Sequence, residues 1–244
     1  MLDFIPAPAT LPPGTRVYAV GDVHGCLDKL LAIHAAIAED LAARPTQDPW
    51  LIHLGDYVDR GPDTAGVVAR LAEATPPAGI SAVINLMGNH EDLMLAAIDT
   101  PTDPAVQTWM MNGGANSLHS WGIPLGTDPA TWAARLPPAH LAFLRGLALR
   151  HALGGYLFVH AGLRPGVPLA QQSRHDQLWI REPFLSSATD LGTVVVHGHT
   201  PRARPEVRRN RIGIDTGAVM GGVLTCAVLE ADRVAFLQTG PARR

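Results

Sequence analysis

Five short polar clusters interrupt otherwise apolar stretches of this chain: Asp22-Val23-His24, Asp56, Asn89-His90, His160 and His199. Carboxylate and imidazole groups with one carboxamide suit a borderline divalent cation such as manganese, iron or zinc, and no thiolate cluster selects a softer metal. Each cluster follows a β-prone run, and glycine adjoins most of them. Where parallel strands form a sheet, ligand sites lie outside their carboxyl ends. A glycine beside Asp or Asn is ordinarily a turn, and a lone histidine is ordinarily packed or solvated. Five such positions in order point instead to one shared site.

The elements that must carry these residues alternate. Strand-like runs cover 16–20, 50–54 and 81–87. Between them, Leu27, Leu30, Leu31, Ile37 and Leu41 recur at helical spacing, and 62–74 reads as a helix with Val67, Val68 and Leu71 inward. A third helix is expected over 92–98. This βαβαβα rhythm predicts parallel strands joined by crossover helices. Segment 101–150 changes character, with three tryptophans and several prolines, and reads as a helical insertion or cap. Strands return at 155–159, 193–196, 211–215, 224–229 and 234–237. A single domain is expected over 1–244, with 1–15 as an extended arm.

Bulk properties set the limits. At 47% hydrophobic residues the chain can bury a large core. A net charge of −3 provides no global basic field, so no nucleic-acid partner is expected. Cys26 and Cys226 are the two cysteines, which rules out a disulfide framework. No run approaches the ~20 apolar residues of a membrane span, and the start lacks a basic, then apolar, leader pattern. A cytoplasmic protein is the expectation; the oligomeric state stays open.

Gly21-Asp-Val-His-Gly25, Gly55-Asp-Tyr-Val-Asp-Arg-Gly61, Gly88-Asn-His-Glu91, His160-Ala-Gly162, Gly198-His-Thr200 and Ile214-Asp-Thr-Gly217 occur in this order. The set resembles the calcineurin-like metallophosphoesterase superfamily, and within it the serine/threonine phosphatases of the PPP type in their small bacterial and phage forms. The resemblance implies an α/β fold, an αββα sandwich of two mixed β-sheets flanked by helices. It implies two divalent metal ions, manganese first, with iron or zinc as alternatives. Asp22, His24 and Asp56 would hold one ion, and Asp56, Asn89, His160 and His199 the other, so that Asp56 bridges. A water activated by both ions would attack phosphorus in line. His90 would protonate the leaving oxygen and Asp59 would orient it. Arg60, and Arg181 in Leu178-Trp-Ile-Arg-Glu182, would clamp phosphoryl oxygens.

The implied substrate is a phosphorylated protein or a small phosphoester. The rival enzyme is a symmetrical dinucleoside polyphosphate hydrolase, whose pattern after the last histidine differs from Gly198-His-Thr-Pro201. A non-catalytic phosphate-binding module would have lost a ligand or the His90–Asp59 pair, and neither is lost.

Other chemistry-bearing residues take plainer roles. His34, His53, His119, His140, His151 and His175 are read as structural, and His197 as packing beside the site. Cys26 is read as a small packing residue at a helix start, and Asp215 as a loop-ordering hydrogen-bond acceptor. Trp109, Trp121 and Trp132 are read as core rather than as a substrate platform. Arg202, Arg204, Arg208, Arg209 and Arg211 form either a solvated hairpin or an anion-attracting rim.

Overall fold

The computed structural model describes residues 2–73 and 77–239. Two mixed sheets face each other. The first has the order β1-β11-β10-β2-β3-β4. Its strands are β1 (Ile5–Pro6), β2 (Thr15–Val20), β3 (Asp48–His53), β4 (Ala82–Asn85), β10 (Leu224–Glu230) and β11 (Arg233–Thr239). The second has the order β5-β6-β7-β9-β8, from β5 (Arg150–Leu153), β6 (Tyr156–Val159), β7 (Val194–His197), β8 (Glu206–Val207) and β9 (Arg211–Gly213). β2, β3 and β4 run parallel, as do β6, β7 and β9. The flanking helices are α1 (Leu27–Ala43), α2 (Thr64–Leu71), α3 (Asn89–Asp99), α4 (Asp103–Trp109), α5 (Ala115–Ser120), α6 (Trp132–Arg135), α7 (Pro138–Arg145) and α8 (Arg174–Trp179). This is the expected αββα arrangement.

Strand alternation explains the layers. In β2, Val17 and Ala19 point at the second sheet and join Ile52, Phe158, Val196 and Ile212 in the central core. Tyr18 and Val20 point the other way, onto Leu30, Ile33 and Ile37 of α1 and Val67 of α2. A period of two along the strand and of 3.6 along the helix makes both faces apolar. Leu157, Val159 and Val195 on the far face of the second sheet pack under Ile180 and Phe184, just past α8.

Several expected bounds shift. Leu31 is exposed, and Ile33 takes the inward place on α1. Helix α2 ends at Leu71, short of the expected 62–74, whose last residue lies outside the described residues. α3 starts at Asn89 rather than 92, since Gly88 caps it without a side chain and offers no Ser/Asp signal. The short strands β5 and β8 are additional to the expected ones. The arm does not simply extend. β1 pairs with the edge strand β11, and farther on Ala9 and Thr10 carbonyls accept from Tyr156 Oη and Gly155 N–H of the second sheet.

Segment 101–150 contains α4 to α7, which build an apolar cluster with α3 from Met94, Trp109, Leu118, Trp132, Leu136 and Leu144. Trp109 and Trp132 meet edge-on at 5.4 Å and are fully buried, as core residues should be. No helix among the described residues is long and apolar enough to cross a membrane.

Candidate metal centre and active site

Asp22 follows β2, Asp56 follows β3, Asn89 follows β4, His160 follows β6 and His199 follows β7. The parallel strands of both sheets thus end at one edge, and their loops interlock. Val23 and His24 N–H both donate to the Asp56 carbonyl, at 3.0 and 2.8 Å. Two glycines are set by close approach. A Cβ at Gly198 would lie 2.0 Å from Asp22 Oδ1, and one at Gly88 2.1 Å from Asp56 Oδ1. His24, Asp56, Asp59, Arg60 and His199 adopt left-handed φ between 44° and 71°. They are five of the six non-glycine residues in that region among the described residues. Each such residue costs on the order of 1–3 kcal/mol and persists only where its surroundings hold it.

The side chains form two groups whose ligand-type atoms lie within 4.8 Å of one another: His24, Asp56 and His90, and Asp56, His160 and His199. Asp56 belongs to both. Asp22 belongs to neither; its carboxylate accepts the His199 N–H at 3.0 and 3.2 Å. The imidazoles are oriented by backbone carbonyls. His24 Nδ1 donates to Val58 O at 2.8 Å and His160 Nδ1 to Leu54 O at 3.0 Å, tautomers assigned from these partners. Each Nε2 is then a lone pair. That of His160 meets Asn89 Oδ1 at 2.9 Å and Asp56 Oδ1 at 3.4 Å. Three acceptors facing one another without a proton between them repel. A cation among them removes the conflict, so the donor set fits a divalent metal.

Electrostatics agree. Burial, then the charges of Asp215 and Asp56, push the Asp22 carboxyl well above its usual range. Burial also raises Asp56, but the charges that His160, His90 and His24 carry in acid outweigh it and bring that carboxyl below its usual range. Burial lowers His24 to about 4 and His199 to about 3, and lowers His160, which keeps these rings neutral and able to bind metal. Asp215 accepts the Gly217 N–H at 2.9 Å, in its expected loop-ordering role.

Beside this cluster lies a second constellation. His90 Nδ1 meets Asp59 Oδ2 at 2.7 Å, both buried. Burial disfavours the charged ring of His90, yet Asp56 and then Asp59 raise its pKa above the ordinary value. Burial raises the Asp59 carboxyl, against the hydrogen bonds of its donors. Sequence reasoning missed two of those donors. Trp109 Nε1 reaches Asp59 Oδ1 at 2.9 Å and Ser117 Oγ reaches it at 2.7 Å. Both come from segment 101–150, so the apolar cluster there also fixes the carboxylate behind His90.

Arg60 Nη1 donates to His24 Nε2 at 3.1 Å, and Arg60 has no carboxylate partner among the described residues. Arg181 is exposed, and its charge contributes to lowering His160 and His199. Burial raises the Asp215 carboxyl to about 6, and the charges of Arg60 and Arg181 oppose that rise. Trp179, half-buried, meets His199 edge-on at 6.2 Å. Trp121 is half-buried and donates to His140 Nδ1 at 3.0 Å.

Glu91 was also missed, although it stands in the Gly88-Asn-His-Glu91 run. Its carboxylate accepts the N–H groups of Asp56, Tyr57, Val58 and Gly88 at 2.7–3.1 Å. Burial and the charge of Asp56 push it up to about 7. Glu91→Gln would turn an NH2 group toward backbone donors. A lower thermal midpoint is expected, at about 1–3 kcal/mol for each donor left without an acceptor. An unchanged midpoint in a thermal melt would contradict this bracing role.

The family model for calcineurin-like phosphoesterases matches residues 15–232. The chain belongs to that family. Its relatives include serine/threonine-protein phosphatase 1 of Salmonella typhimurium, 32% identical over 222 residues that cover 88% of this chain and 92% of that one. A symmetrical bis(5'-nucleosyl)-tetraphosphatase of Aromatoleum aromaticum is 28% identical, over 73% of this chain and 51% of its own length. Among solved structures, a candidate diadenosine tetraphosphatase matches with a TM-score of 0.66 at 22% identity, covering 96% of this chain and 100% of that one, a likeness of fold. The chain is therefore a phosphoester hydrolase of a metal-dependent family, with His and Asp candidates for the ligands.

Proposed function

We propose that the protein hydrolyses phosphate monoesters, with phosphoserine and phosphothreonine in proteins as the preferred substrates. The observation that carries this reading is the 2.7 Å His90–Asp59 pair beside the Asp56-centred cluster. An alkoxide leaves poorly, and a proton donor set next to cation ligands meets that need. Asp22, His24 and Asp56 would hold one divalent cation; Asp56, Asn89, His160 and His199 would hold the second. Manganese is the first choice and iron or zinc the alternatives. Bound there, the pair supplies Lewis acidity and a water deprotonated near neutral pH.

The chain's own residues do the rest. Asp59 fixes His90 Nδ1, which leaves Nε2 to donate a proton to the departing oxygen. Arg60 and Arg181 offer planar forks to phosphoryl oxygens. Replacing either with Ala is expected to lower kcat/KM about 10–100-fold, the scale of one or two charge-assisted hydrogen bonds. Metal content by elemental analysis should not change. Wild-type kinetics for Arg181→Ala would remove Arg181 from the site.

Substrate preference rests on the surround. The Salmonella phosphatase aligns over nearly the whole of both chains, whereas the Aromatoleum tetraphosphatase aligns over about half its length. Trp109 and Trp132 are buried and offer no stacking face. Trp179 beside His199 favours the second reading, a dinucleoside polyphosphate hydrolase, since a nucleobase stacks on such a ring. The test is one panel with one metal: phosphoserine and phosphothreonine peptides against diadenosine tetraphosphate. A higher kcat/KM for the peptides is expected. The reverse order, abolished selectively by Trp179→Ala, would establish the dinucleotide reading.

A further inference from the structure

Arg60 stands on a strained turn. It and Asp59 are consecutive left-handed residues, at φ 66° and 71°. Gly61 N–H donates to the Asp59 carbonyl at 2.7 Å, which closes a three-residue turn centred on Arg60. With a positive φ at its centre, this is the rare and strained form of the γ-turn. Such backbone persists only where its surroundings hold it.

The Arg60 side chain supplies no such hold. Its one side-chain hydrogen bond among the described residues runs to His24 Nε2, the lone pair that His24 would offer to a cation. With that lone pair engaged, the direction of the guanidinium is set by the backbone beneath it. Three braces on that backbone come from the junction of α4 and α5. Ser117 Oγ accepts the Asp59 N–H at 2.9 Å, the Gly113 carbonyl accepts the Arg60 N–H at 3.4 Å, and Asn116 Nδ2 donates to the Arg60 carbonyl at 2.6 Å. Gly113, at φ 105° between the two helices, makes the approach possible, since a Cβ there would lie 2.9 Å from both the N and the Cγ of Arg60. Ser117 is buried and shared with the Asp59 carboxylate, and Gly113 acts through its main chain. Asn116 differs. It is exposed, makes the shortest of the three bonds and has no other side-chain hydrogen bond among the described residues.

We propose that Asn116 is a positioning residue for Arg60. It holds the Arg60 carbonyl, and with it the left-handed backbone that aims the guanidinium at phosphoryl oxygens. Water can satisfy the same carbonyl, but water does not oppose relaxation of the turn toward negative φ. The inference rests on the phosphate-binding reading of Arg60 and goes beyond it, because it gives segment 101–150 a part in binding the phosphoryl group.

The probe is inorganic phosphate, its equilibrium binding measured by calorimetry on the metal-loaded wild type, Asn116→Ala, Arg60→Ala and the double variant. Asn116→Ala is expected to weaken phosphate about 5–10-fold, the scale of one hydrogen bond. Its thermal midpoint and metal content should match the wild type, as befits an exposed side chain. On the Arg60→Ala background the same substitution should change affinity by less than about twofold, because the group that Asn116 positions is gone. Equal losses on the two backgrounds would make Asn116 a general prop of the site and overturn the proposal, as would wild-type affinity for Asn116→Ala. Wild-type affinity for Arg60→Ala is a different failure: it removes Arg60 from the site, and the proposal falls with it.

Discussion

Asp56→Asn is expected to abolish turnover and to bring bound metal well below two per chain. The two groups of ligand-type atoms share only Asp56, so one substitution acts on both. The loss should exceed ~10³-fold, because cations contribute several kcal/mol of transition-state stabilisation and each ~1.4 kcal/mol is tenfold in rate. The substitution is also a gentle one for the backbone. Asp56 sits at φ 55°, a region that Asn tolerates as well as Asp does. Asn Oδ1 can still accept the His90 N–H, now 3.1 Å from Asp56 Oδ1. The thermal midpoint should therefore hold while metal and activity vanish. Two metals retained with full activity would remove Asp56 from the bridging position.

His90→Asn is expected to separate substrates by leaving group. If the ring protonates the departing oxygen, loss should approach the ~10²–10⁴-fold of general acid catalysis with phosphoserine. An aryl phosphate, whose phenolate departs without help, should lose far less. Elemental analysis is the control, because His90 lies within ligand distance of His24 and Asp56. Equal losses on both substrates, together with reduced metal, would make His90 a ligand rather than an acid. The Asp59 side is buffered. With His90 gone, Trp109 and Ser117 still donate to the carboxylate.

The sheet edge was legible in the chain because each strand announces itself as a short apolar, β-prone run and each loop by Gly beside Asp, Asn or His. Gly198 and Gly88 explain the second signal, since no Cβ fits against the carboxylates they adjoin. The braces were not legible in the same way. Trp109 and Ser117 reach Asp59 across 50 and 58 residues, and nothing in a tryptophan at helical spacing separates a core ring from one that also donates to a buried carboxylate. Glu91 was visible as a letter in a motif, but its four backbone partners appear only once the loops interlock. β5 and β8 were missed because strands of four and two residues carry too little pattern. The arginine run stayed ambiguous until Glu206 took up part of its charge.

The cluster of left-handed residues has a consequence for laboratory evolution. Glycine relaxes a left-handed φ that a side chain strains. At Arg60, the exposed one of the five, replacement by glycine would relieve the backbone and remove a proposed phosphate contact in the same step, whereas at the four buried positions it would leave a cavity and, at Asp59, the donors of Trp109 and Ser117 without an acceptor. A library screened only for heat resistance would thus accept glycine at Arg60 and drift toward a sturdier, less active variant. Screens for a hardier enzyme must keep a turnover assay in every round, or leave Arg60 out of the mutagenesis.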